Sequence, residues 1–330
     1  MKKYDFVAIG DITTDEFIRI KDAKVNCDID NENCQLCVSF GDKIPYEFAE
    51  MVSAVGNSPN AAVSAARLGL SSALASNLGD DENGKNCLKT LEGNQVMLDL
   101  MKIHEGKTTN HHYVLWYESE RTILIKHENY DYKLPDMGET KWMYLSSMGE
   151  NSLNFHEEIG DYLAKHPSVK LAFQPGTFQI VLGPKKLKKI YEHTEIFFCN
   201  KDEAQRILES KEEDIKILLK GIRGLGPKIA IITDGPKGAH ADDGKNIFVV
   251  PVYPDPKPPL ERTGAGDAFS STVTSAVALG KPLEEALLWG PINSMSVVQD
   301  IGAQKGLLSR KDLEKYLEDA PNNYKIRVLS

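Results

Sequence analysis

The chain has 330 residues, enough to bury the core of one large α/β domain or of two smaller ones. Its formal net charge of −9 disfavours nucleic acid and anionic membranes as partners, and no apolar run approaches the length of a membrane span. The N-terminus meets the acidic Asp5 at once and lacks the long apolar core of a signal peptide. We therefore predict a cytoplasmic protein that binds neither nucleic acid nor membrane.

The chain opens with an apolar strand, Tyr4 to Gly10, that ends at Asp11. Ligands of parallel α/β sheets bind at the carboxyl ends of strands, so we expect Asp11 to meet a substrate. A polar, irregular stretch at about 12–50 follows, with one strand-like piece at 16–20. Its length and composition predict an excursion from the core, not a linker between domains.

A short strand at 50–54 leads into a helix start. Ser58 is a favourable N-cap and Pro59 a favourable first helical residue, which predicts a helix that ends at Leu68. A strand at 72–78 and a helix at 85–92 come next. The segments 111–117 and 121–127 predict a hairpin outside the strand–helix alternation. We pair it with the excursion at about 12–50 as a small β-sheet lid.

Strand–helix alternation resumes after residue 141. Strands are predicted near 142–146, 170–173, 195–199 and 229–233, with helical segments between them. No internal repeat or Gly/Ser linker divides the chain. The pattern predicts a single domain over 1–330, of α/β class, with a doubly wound, mostly parallel sheet flanked by helices.

The most informative stretch is a Gly-rich turn, Gly264-Ala265-Gly266, followed by Asp267 and a helix to about 279. Such a turn exposes backbone N–H groups at the positive end of a helix dipole, which favours an anion. Asp267 could accept a proton from an attacking hydroxyl there. The alternative is that Asp267 only caps the helix and the glycines only form the turn.

Thr263 to Asp267 resembles the signature of the ribokinase (PfkB-type) family of carbohydrate and nucleoside kinases. The resemblance implies a ribokinase-like fold and ATP-dependent phosphorylation of a hydroxyl of a small sugar or sugar derivative. It implies Asp267 as the general base and the amides of Ala265, Gly266 and Asp267 as an anion hole.

Three further segments match the family in order. Asn200 and Glu203 follow a strand; they make a capping box by themselves, and the resemblance implies that they place Mg²⁺ and phosphate through water. Thr233, Gly235 and Gly238 match a turn that the family places against the nucleotide.

The third segment is the helix start at 56–60. The resemblance implies that Asp11, Gly56 and Asn60 bind the acceptor's hydroxyls, although Asn57 replaces a glycine common in the family.

The sequence also departs from the family. Glu261 stands where potassium-activated members commonly have Asp, which puts K⁺ dependence in doubt. Arg262 could pair with a phosphate or make a surface ion pair. Pro291 is expected to kink or restart the last long helix, from which we take Asn293 and Val297 as candidates for the adenine wall.

Alternative functions stay open at this stage. A nucleoside kinase of the same family would use aromatic partners such as Phe17, Tyr113 and Tyr117. A non-catalytic sugar-binding regulator on the same fold has no need of Asp267. A Rossmann dehydrogenase is disfavoured because no G-x-G-x-x-G follows the first strand. We also expect the lid to form a homodimer through its apolar positions Phe17, Ile18 and Val114, because a small sheet leaves one apolar face to cover.

The cysteines favour reduced thiols. Five is an odd number in a long chain without a predicted signal peptide, which disfavours a disulfide framework. Cys27, Cys34 and Cys37 cluster, but no fourth Cys or His lies nearby to complete a structural zinc site. We expect free surface thiols there, with zinc as the alternative.

Overall fold

A ten-stranded sheet crosses the computed structural model, which describes residues 2–27, 34–118 and 120–329. The strands are β1 Lys3–Ile9, β2 Thr13–Ile20, β3 Lys24–Asn26, β4 Gln35–Cys37, β5 Tyr46–Val55, β6 Ser72–Gly79, β7 Met101–His104, β8 Asn110–Tyr117, β9 Glu120–Leu124, β10 Glu139–Leu145, β11 Lys170–Phe173, β12 Thr194–Asn200, β13 Ile229–Thr233, β14 Ala239–Asp242, β15 Ile247–Val250 and β16 Arg327–Leu329. The sheet order is β16-β15-β14-β13-β12-β11-β10-β1-β6-β7.

Helices cover both faces of this sheet. They are α1 Asn57–Arg67, α2 Glu82–Gly93, α3 Leu153–Lys165, α4 Thr177–Lys186, α5 Lys188–His193, α6 Lys201–Ile207, α7 Ile215–Gly224, α8 Ala265–Ala278, α9 Leu283–Val297 and α10 Arg310–Glu318. One hydrophobic core joins the sheet to the group that contains α1, α8 and α9. A second core on the opposite face joins it to α3, α5 and α7. The prediction of a doubly wound α/β fold is confirmed.

The sheet is parallel from β7 to β13 and antiparallel beyond β13. The glycine turn after Thr233 connects the antiparallel pair β13 and β14 through a 3₁₀ turn at Gly235–Lys237. The Asp-Gly and Gly-Pro pairs of this turn favour such a tight reversal.

Four strands form a separate small sheet, in the order β5-β2-β8-β9. It combines the excursion after β1 with the β8–β9 hairpin, and β2 runs antiparallel to β5 but parallel to β8. Phe17 and Val114 pair in register and are buried on one face. Met51, Tyr113 and Leu124 share the register of Glu16 and are exposed on the other face. The small sheet therefore has one covered and one uncovered face.

Two helices differ in detail from their predicted forms. Helix α1 starts at Asn57 after Gly56, and the hydroxyl of Ser58 donates to the Ile9 carbonyl at 2.7 Å instead of capping the helix. Helix α9 runs through Pro291 as one element and does not restart there. Within the described ranges no helix is both long and apolar enough to span a membrane.

A disulfide joins Cys27 to Cys34, contrary to the expectation of free thiols at both. The β3–β4 pairing explains the contact, because Asn26 lies opposite Gln35 and the next residues on each side are the two cysteines. The number of cysteines in the sequence does not predict this two-strand hairpin, and the disulfide depends on it. Cys37, Cys87 and Cys199 are free thiols.

This pairing is testable by counting thiols. We expect iodoacetamide to label three cysteines per chain in denaturant without a reductant, because Cys27 and Cys34 are joined. Prior reduction should raise the count to the five that the sequence contains. Mass spectrometry of the intact chain measures both values, and five labels without reduction would contradict the disulfide.

Candidate functional site

A left-handed glycine opens helix α8. Gly264 is its N-cap with φ of 78°, and a Cβ at this position would lie 2.3 Å from the Ala303 Cβ. Both the backbone conformation and the space therefore require glycine here. Gly266 and Asp267 follow in the first turn, where backbone N–H groups have no intrahelical carbonyl partner. The turn thus leaves backbone N–H groups without helical partners at the start of α8.

The Asp267 carboxylate is buried at the mouth of this helix and held by three side-chain amides. Asn57 donates to Oδ1 at 2.8 Å and Gln174 donates to the same oxygen at 3.1 Å. Asn60 donates to Oδ2 at 2.8 Å. Such donors stabilise an ionised carboxylate and fix its plane. The sequence singled out Asn60 for the acceptor, and the structure also places it against Asp267.

Burial raises the pKa of Asp267 above its ordinary value, and the three amide hydrogen bonds and the charge of Arg121 oppose that shift. The raised pKa moves the proton affinity of this carboxylate toward that of a general base working near neutral pH. The pKa of Glu203 is also raised, mainly by burial. The negative charge of Asp267 contributes to this shift.

A polar inner cavity of about 340 Å³ lies between the small sheet, the carboxyl end of β1 and the start of α8. It contains Asp11, Gly56, Asn60 and Asp267 among its lining residues, so the structure brings together the side chains predicted to contact the acceptor and the base. Gly56 has φ of 116°, and a Cβ there would lie 2.9 Å from the Asp11 carbonyl oxygen.

Asp11 is already engaged by the protein. Its carboxylate accepts hydrogen bonds from the Tyr132 hydroxyl at 2.9 and 3.0 Å and from the Gly149 N–H at 2.9 Å. The Nδ1 of His127, also in the cavity wall, lies 3.1 Å from it. Few lone pairs of Asp11 are left for a ligand, so the imidazole of His127 is the part of this cluster best able to present a polar atom to one.

Besides His127, three further residues of the cavity wall, Asp15, His112 and Arg121, were not predicted from the sequence. Asp15 and His112 pair across β2 and β8, with Nδ1 and Oδ1 3.4 Å apart. Asp15 Oδ1 and His112 Nε2 are buried without a hydrogen-bond partner among the described residues. Arg121 lies 3.9 Å from the buried Glu261. In the sequence, these residues are recognisable only as polar positions within otherwise apolar lid strands. They can be assigned to the cavity wall only when the pairing of the strands is known.

A second, outer cavity of about 370 Å³ lies on the other side of the same turn. Thr233, Gly235 and Gly238 of the β13–β14 turn line it, together with Ala265 of helix α8. Arg262 and Gly266 line both cavities. The two cavities therefore meet at the Gly-rich turn beside Asp267.

Asn293 and Val297 do not line the outer cavity, in contrast to the expectation for an adenine wall. Both are fully buried, and Asn293 donates to the Thr272 hydroxyl at 2.7 Å and accepts from the Leu308 N–H at 2.9 Å. The cavity side of α9 instead carries Pro291, Ser294 and Met295. The sequence placed the helix but not its rotation about its own axis.

Asn200 and Glu203 form a reciprocal capping box at the start of α6. Asn200 Oδ1 accepts from the Glu203 N–H at 2.8 Å, and Glu203 Oε2 accepts from the Asn200 N–H at 2.9 Å. Asn200 stands beside Thr233 of the outer cavity in the β12–β13 register. In the part of the chain that the structure describes, no group of three or more His, Cys, Asp and Glu side chains is arranged to hold a metal by itself.

The fold and this site define an α/β protein of the kinase type, with an anion-binding turn and a buried carboxylate between two cavities. Residues 26–310 match the pfkB family of carbohydrate kinases, and the chain belongs to that family. It is 26% identical over 271 residues to the ribokinase of Bacillus subtilis, which covers 79% of this chain and 87% of that one.

Two solved structures share the fold. Arabidopsis thaliana ribokinase, complexed with ribose and ATP, matches with a TM-score of 0.81 at 19% identity, over 96% of this chain and 99% of that one. The nucleoside kinase of Methanocaldococcus jannaschii, an archaeal member of the ribokinase family, matches with a TM-score of 0.76 at 19% identity, over 97% of this chain and all of that one (100%). The resemblance to the ribokinase family is confirmed.

Proposed function

We propose that the chain transfers the γ-phosphoryl group of ATP to a hydroxyl of a small sugar or sugar derivative. The single observation that carries this proposal is the meeting of two cavities at the Gly-rich turn, with the buried Asp267 between them. Family membership supports the phosphotransferase class, and the Arabidopsis relative was solved with ribose and ATP. We place the reaction in the cytoplasm, where ATP is abundant.

In the proposed reaction Asp267 accepts the proton of the acceptor hydroxyl as its oxygen attacks the γ-phosphorus. The new P–O bond forms while the bond to the bridging oxygen of ADP breaks, and ADP leaves with that electron pair. Gly264 shapes the turn, and the amides of Ala265, Gly266 and Asp267 hold the phosphoryl oxygens. The small sheet, which belongs to the lid predicted at about 12–50 and 111–127, closes the inner cavity in this proposal. The closed lid keeps water from taking the acceptor's place.

The acceptor occupies the inner cavity in this proposal. Asn60 and the backbone at Gly56 face its hydroxyls, Asp11 acts on it through His127, and Asp15 with His112 offers unpaired polar atoms. Carboxylates outnumber arginines in this wall, which favours a neutral polyhydroxyl compound over an anionic one.

A nucleoside acceptor is the second candidate. The small-sheet side of the cavity carries the apolar Phe17, Ile123 and Ile125 beside its polar residues, and this apolar part suits the flat face of a base. The M. jannaschii relative is a nucleoside kinase. An ATP-consumption screen over ribose, fructose, their phosphates, cytidine and adenosine separates these candidates. A non-catalytic regulator would leave ATP intact with all of them.

We propose that ATP occupies the outer cavity, with its phosphates at the turn beside Arg262 and its ribose near Thr233, Gly235 and Gly238. Met295 and Val298 supply apolar surface for adenine there. Asn293 and Val297 support that wall from the core.

Mg²⁺ suits the Asn200–Glu203 corner, because oxygen atoms are its preferred ligands. Burial and the charge of Asp267 raise the pKa of Glu203, so a cation nearby would relieve an unfavourable concentration of negative charge. We propose that both residues hold the ion through water. When bound, Mg²⁺ neutralises charge on the β- and γ-phosphates.

A potassium ion fits Glu261 less well. One oxygen of Glu261 accepts from the Thr263 N–H at 2.7 Å and the other from the Gly302 N–H at 2.9 Å, and Arg121 already supplies a positive charge nearby. We therefore propose that activity does not depend on K⁺.

The first prediction concerns the base. Asp267→Asn should lower kcat by about 10² to 10⁴-fold while the chain stays folded, because the amide cannot accept the proton and occupies the same space. Steady-state kinetics with the acceptor found in the screen measures the loss, and circular dichroism monitors the fold. A folded variant with wild-type kcat would remove Asp267 from the mechanism.

The second prediction separates magnesium binding from helix capping at Glu203. Glu203→Gln keeps a side-chain oxygen for the cap but loses the charge, so we expect a higher Mg²⁺ concentration for half-maximal activity and little change in stability. Glu203→Ala should also lower the free energy of unfolding by roughly 1 kcal/mol. If Glu203→Gln has the wild-type magnesium curve, Glu203 is only a capping residue.

The third prediction is that replacing KCl by tetramethylammonium chloride at constant ionic strength leaves the rate unchanged, since Glu261 is already satisfied by two amides. Initial rates over a KCl titration provide the measurement. A rate that rises with K⁺ and saturates would show that the ion has a site of its own.

The fourth prediction concerns assembly. We propose a homodimer through the uncovered face of the small sheet, where Met51, Tyr113 and Leu124 are exposed. The prediction that Phe17 and Val114 form the dimer face is wrong, because both are buried on the opposite face of the small sheet. Light scattering should give twice the 36.7 kDa chain mass.

The double variant Tyr113→Glu with Leu124→Glu should yield the monomer. The control variant Ile217→Glu, which changes a similarly exposed aliphatic residue on α7, should remain a dimer. A wild-type monomer at micromolar concentration would contradict the dimer.

A further inference from the structure

Gln174, immediately after β11, is a polar side chain that no sequence motif singled out. Its Oε1 accepts hydrogen bonds from the Tyr144 hydroxyl and from the Ser270 hydroxyl, the latter at 2.7 Å. Tyr144 and Ser270 also contact each other at 2.7 Å. With both hydroxyls on the oxygen end of the amide, the NH₂ end must point the other way. That end donates to Asp267 Oδ1 at 3.1 Å.

The amide of Asn60 is also held by a residue behind it. Gln304 donates to Asn60 Oδ1 at 3.0 Å and to the Ala54 carbonyl at 2.6 Å. Because the oxygen of Asn60 is thereby occupied, its NH₂ group faces Asp267 Oδ2. Two of the three amides at the carboxylate are thus held from behind by other residues, Gln174 by Tyr144 and Ser270 and Asn60 by Gln304.

The donors are distributed unequally between the two carboxylate oxygens. Each oxygen of an ionised carboxylate has about two lone-pair directions. Among the described residues, Oδ1 accepts hydrogen bonds from Asn57 and Gln174, which fill both directions, whereas Oδ2 accepts from Asn60 alone. Oδ2 therefore keeps a free lone pair on a carboxylate whose rotation is blocked.

We propose that Gln174 is a positioning residue that acts through Asp267: it occupies Oδ1, so that the proton of the acceptor hydroxyl is taken by Oδ2 alone. The inference rests on the proposed function of Asp267 as the base. It predicts that losing this one amide frees Oδ1 for protonation and lets the carboxylate turn away from the acceptor.

The electrostatic surroundings define what the test must resolve. Arg121 favours the ionised form of Asp267, and the charge of Asp267 in turn raises the pKa of Glu203 on α6. Tyr144 is buried behind Gln174, and its pKa is raised well above the ordinary value, mainly by burial, so it stays a donor. The remaining charged or titratable side chains of the inner cavity are Asp11, Asp15, His112, His127 and Arg262. None of these groups is altered by a substitution at Gln174.

Gln174→Met removes the amide and keeps the length of the side chain. We expect the pKa of Asp267 to rise by about one pH unit, since a hydrogen bond to the charged form is lost. The free enzyme, labelled with ¹³Cγ-aspartate, gives this value by NMR titration, and the resonance absent from Asp267→Asn assigns the signal. Gln179→Met is the matched control, because Gln179 is a buried glutamine that bonds to Ser146 and Gly176 and not to Asp267.

Kinetic measurements then test separately whether Gln174 positions Asp267 and whether Asp267 is the base. The acidic limb of the kcat profile should move up with the titration in Gln174→Met and stay in place in Gln179→Met. An Asp267 titration unchanged in folded Gln174→Met would overturn the positioning role, whether or not Asp267→Asn is inactive. An active Asp267→Asn would instead overturn the proposed base and leave the titration result standing as a structural coupling.

Discussion

A carboxylate buried where two cavities meet is the constraint on which the rest of the structure depends. An isolated buried charge is strongly unfavourable unless hydrogen bonds replace its lost hydration. Asp267 obtains them from Asn57 and Asn60 on α1 and from Gln174 at the end of β11. These residues are far apart in the chain, so the site forms only when α1, α8 and the middle of the sheet have packed together.

The segment between α9 and α10 joins the same network from behind. Ala303 packs against Gly264, the Gly302 N–H donates to Glu261, and Gln304 orients Asn60. Arg67 at the end of α1 holds this segment through the carbonyls of Gln304 and Leu307, at 2.7 Å each. A loop with no recognisable motif thus sets the geometry of the Gly-rich turn, since each contact is made by a backbone group or by the far end of a side chain.

The sequence predicts what is local and misses what depends on rotation or long-range pairing. The turn at Gly264 and the capping box at Asn200 are determined by neighbouring residues, and both are found as expected. Asn293 was assigned to the cavity although it is in the core, because periodicity locates a helix better than it locates the helix face near a proline. His112 lies in the wall of the inner cavity because β8 pairs with β2. The sequence does not predict this pairing, since α1 and α2 lie between the two strands in the chain.

The small sheet and Asp267, the proposed base, interact electrostatically. Arg121 belongs to strand β9 of that sheet, and its positive charge lowers the pKa of Asp267 against the effect of burial. Any displacement of β9 away from the inner cavity would remove this charge and favour the protonated carboxyl, which cannot accept a proton. Coverage of the cavity by the small sheet and the ionisation of Asp267 therefore change together. The same movement would admit water and reduce the ionised fraction of Asp267, so an open site would hold less of the carboxylate form that the proposed mechanism needs.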